Sequence, residues 1–500
     1  MNKSLFIIIS LFSVFFACKT IEEKSSPMDT SLYNEPFRPQ FHFSPEANWM
    51  NDPNGMVYLD GEYHLFYQYY PDSTVWGPMH WGHAISTDLV HWENLPIAIY
   101  PDKNGWIFSG SAVIDHNNTS GLGSDQNPAM IAIFTYHEPV GEKEGRNDFQ
   151  TQGIAYSLDK GRSWTVYEKN PVLKNPGIKD FRDPKVMWHE DKEGNGRWIM
   201  SLAVLDKIDF YSTPNLLEWT FESDFNPEWA AYGGVWECPD LFSLTAADGT
   251  KKWILFVSIN PGGPQGGSAT QYFVGNFDGK TFTTESTETL WLDYGADNYA
   301  GVTWSNVPES DGRTLFIGWM SNWQYGQIVP THPWRSAMTI PRKLELVKIN
   351  DEYLVASRPV KEIEKLRKES KTVSGSSFEL ENELVELELS PNQSDFKINI
   401  SNDKGEKLIV EKSSQELKID RTQSGKIDFS PEFPAVHTAP LNGIRVEKVR
   451  LFIDRSSIEI FINDGELIMT DLVFPTSPYS KIKLEGFSEN NSLHYLSGIW

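Results

Sequence analysis

One local pattern recurs along the first half of this chain and fixes the kind of fold it makes. Residues 84–92, 155–164 and 210–219 share it. Each has a short strand, a serine (Ser86, Ser157, Ser212), a polar turn, and a tryptophan (Trp92, Trp164, Trp219) that starts the next strand. Residues 274–282 form a weaker fourth copy. The copies recur at intervals of roughly 55–70 residues, the size of one four-stranded propeller blade with its loops. Residues 37–346 leave room for five blades. Helical periodicity is scarce, and short β-rich runs such as residues 63–68, 129–134, 198–202, 252–257 and 314–319 are separated by Gly, Asn, Asp and Pro. The expectation is an all-β chain: a five-bladed β-propeller followed by a C-terminal β-sandwich. A propeller gathers the inner strand of every blade around one axis, so motifs far apart in sequence meet in one funnel.

A chain of 500 residues exceeds one ordinary core, so two or three domains are expected. Residues 347–372 read as a linker, with residues 362–371 as its short helix. Residues 373–500 alternate polar and apolar positions, as in Leu384-Val385-Glu386-Leu387, and suit a sandwich. At the other end Lys3 precedes an apolar run over residues 5–16, too short to span a bilayer. Ala17-Cys18 then resembles a bacterial lipoprotein cleavage site. Residues 1–17 are therefore expected to be a signal peptide, Cys18 the lipidated residue, and residues 18–36 a polar tether. Several acyl chains on one cysteine anchor a protein stably. The expected location is outside the cytoplasm on the bacterial outer membrane, held only by the lipid. Two cysteines make no disulfide framework.

The net charge of −24 argues against nucleic acid and anionic membrane surfaces as partners. The 18 tryptophans suit stacking on neutral sugar rings, or packing between sheets.

Three acidic residues stand out, each beside a proline-marked turn: Asp52 in Asn51-Asp52-Pro53-Asn54-Gly55, Asp183 in Arg182-Asp183-Pro184, and Glu237 in Glu237-Cys238-Pro239. Taken singly, these are also a surface turn, a surface ion pair and a strand-edge glutamate. Pro53 restricts Asp52 to extended geometry. The apolar neighbours of Glu237 favour a raised pKa, as a general acid requires. On one funnel the three fit a retaining glycosidase, with a carboxylate nucleophile, an acid/base and a third group for substrate hydroxyls.

Trp49-Met50-Asn51-Asp52-Pro53-Asn54-Gly55, Phe108-Ser109-Gly110-Ser111, Arg182-Asp183-Pro184 and Glu237-Cys238-Pro239 resemble the motifs of glycoside hydrolase family 32, which includes invertases, inulinases, levanases and related fructosyltransferases. Asp454-Arg455-Ser456-Ser457-Ile458-Glu459-Ile460-Phe461 resembles a motif of that family's C-terminal sandwich. The resemblance implies a double displacement on β-fructofuranosides. It implies Asp52 as nucleophile toward C2, Glu237 as acid/base, and Asp183 as the stabiliser oriented by Arg182. Trp49, Asn51, Gln68, Trp76, Phe108, Ser109, Arg182 and Trp319 are the implied substrate-binding residues. No metal or organic cofactor is implied. The expected substrates are fructans (levan or inulin), fructo-oligosaccharides and sucrose. Rival readings are a fructosyltransferase on the same scaffold, a non-catalytic glycan-binding surface lipoprotein, a sialidase and an arabinanase. The β-2,6 or β-2,1 linkage, and exo or endo attack, stay open.

Overall fold

The computed structural model describes residues 32–284 and 286–500. The expected signal peptide, Cys18 and most of the tether lie outside the described residues. The last part of that tether is packed: Tyr33 stacks on Trp500 with ring centroids 3.9 Å apart, and Glu35 pairs with Arg38 at 2.7 Å.

Five antiparallel sheets come first. Their innermost strands are Asn48–Leu59, Trp106–Ile114, Phe181–Glu190, Val235–Thr245 and Tyr299–Thr303. Each of these strands packs beside the next, and the fifth packs beside the first, so the sheets close into a propeller ring. Trp334–Arg335 returns from the fifth sheet region to pair in parallel with Asn48 and Trp49, which locks the ring.

The repeated pattern occupies one topological position, the turn from the third to the fourth strand of a sheet. Asp88 Oδ1 accepts the Val90 and His91 amides, Asp159 Oδ1 accepts Ser163 N, and Asn215 Oδ1 accepts Leu217 N and Glu218 N. In the weaker copy Asp278 Oδ1 accepts Lys280 N and Thr281 N. The short polar side chain supplies the bonds that the turn's backbone would otherwise lack. Trp49, Trp81, Trp236, Trp319 and Trp334 are wholly buried, so much of the tryptophan content packs sheets together.

Two features differ from the sequence expectation. The hairpin Arg342–Ile349 and Glu352–Pro359 runs across the expected boundary at residue 346 and belongs to the fifth sheet. The helix expected over residues 362–371 is a 3₁₀ segment, Lys361–Leu366, and Arg367–Val373 is already an edge strand of the sandwich. Ile363 and Leu366 are buried, so the apolar spacing was real, but the strand's pairing with Asn491–Leu496 claims the rest.

The sandwich has two six-stranded sheets. Its Asp454-to-Glu459 motif docks it onto the propeller. Asp454 accepts the Gln40 and Phe41 amides and His42 Nδ1 at 2.8 Å. Glu459 accepts His42 Nε2 at 2.8 Å, the Ile340 amide at 2.9 Å and the Arg342 guanidinium. Burial opposes charge on His42. The hydrogen bonds and fields of Asp454 and Glu459 outweigh it and raise its pKa to about 9. Among the described residues no helix is long and apolar enough to cross a membrane.

Candidate active site

The same irregularity interrupts all five inner strands. In each, two residues face one on the neighbouring strand: Asn51-Asp52 against Gln68, Phe108-Ser109 against Thr135, Asp183-Pro184 against Leu202, Cys238-Pro239 against Val257, and Ala300-Gly301 against Gly318. These are β-bulges, which bend a strand and re-aim its side chains. Proline suits a bulge because its missing N–H takes nothing from the ladder there. Asp183 (φ 63°), Cys238 (φ 46°) and Ala300 (φ 53°) hold left-handed backbone in these bulges, a strain found at functional sites. In the second strand Gly110 lies against the Ile133 carbonyl, where a Cβ would collide. The acid-proline pattern in the sequence therefore marks three of five neighbouring bulges at one end of the axis.

The bulges open into a pocket of about 330 Å³ lined by Asp52, Asp183 and Glu237. Asp52 Oδ1 accepts Asn51 Nδ2 at 2.9 Å, and Oδ2 accepts Ser109 Oγ at 2.9 Å. Asn51 is itself held by Trp49 Nε1 at 2.7 Å. Asp183 Oδ2 accepts Cys238 N at 3.0 Å, and the Cys238 thiol lies 3.7 Å from both Asp52 Oδ2 and Asp183 Oδ2. Glu237 Oε1 accepts Arg182 Nη2 at 3.0 Å, while Oε2 accepts the Tyr299 hydroxyl. Arg182 Nη1 also donates to Asp180 at 2.6 Å. The apolar residues beside Glu237 in sequence do not surround its carboxylate, because the strand directs it to Arg182 and Tyr299. Ser111 ties the second inner strand to the third, accepting Val186 N at 2.9 Å and donating to Pro184 O at 3.0 Å.

Crowding of acids sets the electrostatics. Burial, then the field of Glu237, raises the Asp52 pKa against the bonds from Asn51 and Ser109. Burial raises Asp183 to about 7; Arg182 opposes this, while Glu237 and Asp52 add to it. Burial, then the same acids, keeps the Cys238 thiol protonated, and burial with Glu237 does so for the Tyr299 hydroxyl, so both act as donors. Asp183, crowded by Glu237 and Asp52 and opposed by Arg182, therefore holds a proton more readily than a free carboxyl does. Ionised carboxylate beside protonated carboxyl is the equipment for glycoside cleavage.

Of the sequence-predicted binding residues, Asn51, Gln68, Trp76, Phe108, Ser109 and Arg182 line the pocket. Trp49 and Trp319 do not. Trp49 is buried behind Asn51 and acts through it. Trp319 lies on a second strand of its sheet, edge-on to Tyr299, and the wall position is taken by Trp323, whose ring is 5.0 Å from Trp319. Cys238, Tyr299, Trp323 and His137 were missed as site residues. His137 lines the pocket, stacks on Phe108 at 4.3 Å, and bonds Glu142 Oε2 at 3.1 Å. A faint signal for Tyr299 exists in the small pair Ala300-Gly301 that follows it.

A propeller whose axial pocket gathers two aspartates, a glutamate and an arginine defines a glycosidase. Comparison with known proteins specifies which. Residues 42–359 match the N-terminal domain of glycosyl hydrolases family 32, and residues 352–499 match that family's C-terminal domain. The chain belongs to this family and is a glycosidase of the β-fructofuranosidase class. It is 45% identical to a levanase of Bacillus subtilis (strain 168), over 100% of this chain and 76% of that protein. It is 40% identical to an extracellular exo-inulinase of Aspergillus awamori, over 89% of this chain and 91% of that protein. The crystal structure of the Aspergillus awamori exo-inulinase superposes with a TM-score of 0.84 at 37% identity, covering 94% of this chain and 100% of that one. A β-fructofuranosidase from Schwanniomyces occidentalis, complexed with fructosyl-erythritol, gives 0.83 at 32% identity, covering 94% and 99%.

Proposed function

We propose that this protein is an exported, retaining β-fructofuranosidase that releases fructosyl units from levan or inulin, from fructo-oligosaccharides and from sucrose. Asp52 attacks C2 as the glycosidic bond breaks, and Glu237 gives its proton to the departing oxygen. Water then attacks C2, passes a proton to Glu237, and frees the Asp52 carboxylate. Asp183 takes hydrogen bonds from fructose hydroxyls. Asn51 and Ser109 hold Asp52, Arg182 and Tyr299 hold Glu237, and Gln68, Trp76 and Phe108 bind the sugar. Trp49 and Trp319 support that wall from behind.

The observation that carries the reading is the meeting of Asp52 and Asp183 at one thiol, Cys238, whose chain neighbour is Glu237. The relatives are named for levan, inulin and sucrose-cleaving activities, which supports hydrolysis over transfer. Chromatography of products from levan, inulin and sucrose tests it. Fructose released from at least one of them is expected, and no release from any contradicts it. Detecting products longer than the donor at high sucrose would favour the transferase instead.

The proposal extends to the whole chain. Residues 1–17 are a signal peptide and Cys18 is lipidated, anchoring the protein at the bacterial outer membrane through the tether of residues 18–36. Each of the five sheets is one blade, and the catalytic propeller ends near residue 359 with the sandwich from residue 367. Extracellular relatives support export. A Cys18→Ala protein is expected in the soluble fraction; its retention in membranes would refute the anchor.

A further inference from the structure

A second cavity, of about 490 Å³, opens at the other end of the propeller axis. It is built from the far ends of the same inner strands. Asp183 lines the catalytic pocket, and Trp188, five residues on, lines this one. At strand rise the two mouths are on the order of 15 Å apart. Between them the axis is closed by Lys185, whose Nζ reaches Asp240 Oδ2 at 3.2 Å and donates to Thr303 O at 2.6 Å. Nothing bound in one cavity reaches the other.

The walls have a consistent chemistry. Trp188, Trp253 and Phe242 are half-buried aromatics around the mouth, with Ser243 and Asn306 between them. At the floor Asp240 is wholly buried. Its Oδ2 takes Thr303 N at 2.6 Å, Thr303 Oγ1 at 2.8 Å and the Lys185 ammonium, while its Oδ1 has no hydrogen-bond partner. A buried carboxylate oxygen left unpaired is costly and calls for an O–H or N–H donor. Its charge is already offset by Lys185, so the missing group is neutral. The net charge of −24 also disfavours anions. Aromatic platforms, neutral polar groups and an unpaired acceptor together describe a site for a neutral, hydroxyl-rich ligand.

We propose that this cavity is a second, non-catalytic carbohydrate site that holds a fructan chain while another part of the polymer is cleaved. Naming a fructan rests on the activity proposed above. Two sites on one polymer raise the effective substrate concentration, whereas sucrose is too short to engage both.

The test uses the full chain carrying Asp52→Asn, so that polymer survives, in native gels cast with levan, inulin or dextran. Adding Trp188→Ala and Trp253→Ala is expected to weaken retardation by levan or inulin about tenfold. Ser243→Trp, which fills the cavity and spares both tryptophans, is expected to do the same, so a folding defect in one variant does not excuse the proposal. With Asp52 restored, both proteins are expected to keep sucrose hydrolysis within about twofold while losing efficiency on polymer. Unchanged retardation in both variants, equal retardation by dextran, or sucrose activity falling in step with polymer activity overturns the proposal. Failure of the unsubstituted protein to release fructose from any fructan, measured separately, would count against the activity reading instead.

Discussion

Arg182 and Glu237, on the inner strands of neighbouring sheets, are joined by two hydrogen bonds from one guanidinium to Glu237 Oε1, at 3.0 and 3.3 Å. The same guanidinium reaches Asp180 at 2.6 Å and stands 4.0 Å from Asp183 Oδ2. One planar cation therefore sets the relative positions of Asp180, Asp183 and Glu237. Lysine carries the charge without the fork. Arg182→Lys is expected to lower kcat on sucrose roughly 100-fold, the scale of a misplaced general acid. Far-UV circular dichroism should stay unchanged. A loss confined to KM would assign Arg182 to ground-state binding only.

Asp52→Asn removes the proposed nucleophile and is expected to abolish turnover. It also removes a charge whose ionisation is opposed by burial and by Glu237. The variant should therefore melt higher than the parent, by roughly 1 kcal/mol, the usual trade between a strained site and stability. Calorimetry of both proteins at pH 7 decides; a lower melting temperature with intact near-UV circular dichroism would mean that Asn51 and Ser109 depend on the carboxylate for their order.

These relationships divide into what the sequence displays and what it hides. Asp52, Asp183 and Glu237 stand out because each is next to or two residues before a proline, and the proline sits in the bulge or immediately after it. The Ser-turn-Trp repeat displays the blade because the turn is built from local bonds, such as Asp159 to Ser163 N. The bulge itself is hidden, since it is a mismatch between two strands and has no local composition. That is why Tyr299, before Ala300-Gly301, escaped notice. Trp319 and Trp323 are both aromatics of one segment, and only the sheet pairing decides which ring faces the pocket. The helix expected over residues 362–371 failed for a related reason. Its second half had a strand partner, Asn491–Leu496, more than a hundred residues away.

The acid cluster makes activity sensitive to alkali. Asp183 in the free protein titrates at about 7, raised by burial and by its acidic neighbours. Below that pH Asp183 is protonated and the acids crowd one another less; above it the added charge opposes ionisation of Asp52 beside it. kcat/KM for sucrose is therefore expected to fall as pH rises through about 7. Glu237→Gln should flatten this limb and slow poor leaving groups most. A parent profile level from about pH 6 to 9 would contradict a raised Asp183 in the acid cluster.

Three buried histidines push stability with pH, two in one direction and one in the other. His64 Nδ1 lies 3.0 Å from His83 Nε2, and burial, against the field of Glu62, lowers the His64 pKa to about 4. Burial, with His64 and Arg162 adding, also lowers His83. Both fold neutral but bind protons readily when unfolded. Their contribution is complete above about 6.5, the ordinary value for histidine, and is lost as pH falls toward 4. His42 is the reverse. Raised to about 9 between Asp454 and Glu459, it contributes fully below 6.5 and loses that contribution as pH rises through 9. Removing it leaves two buried carboxylates short of a partner, so His42→Ala is expected to cost about 3–5 kcal/mol at pH 7. That penalty should shrink by pH 10, where the parent histidine is neutral. Urea midpoints of parent and His42→Ala at pH 5, 7 and 10 measure both limbs. A His42→Ala penalty equal at pH 7 and pH 10 would show that His42 holds the sandwich on the propeller by packing alone, without its charge.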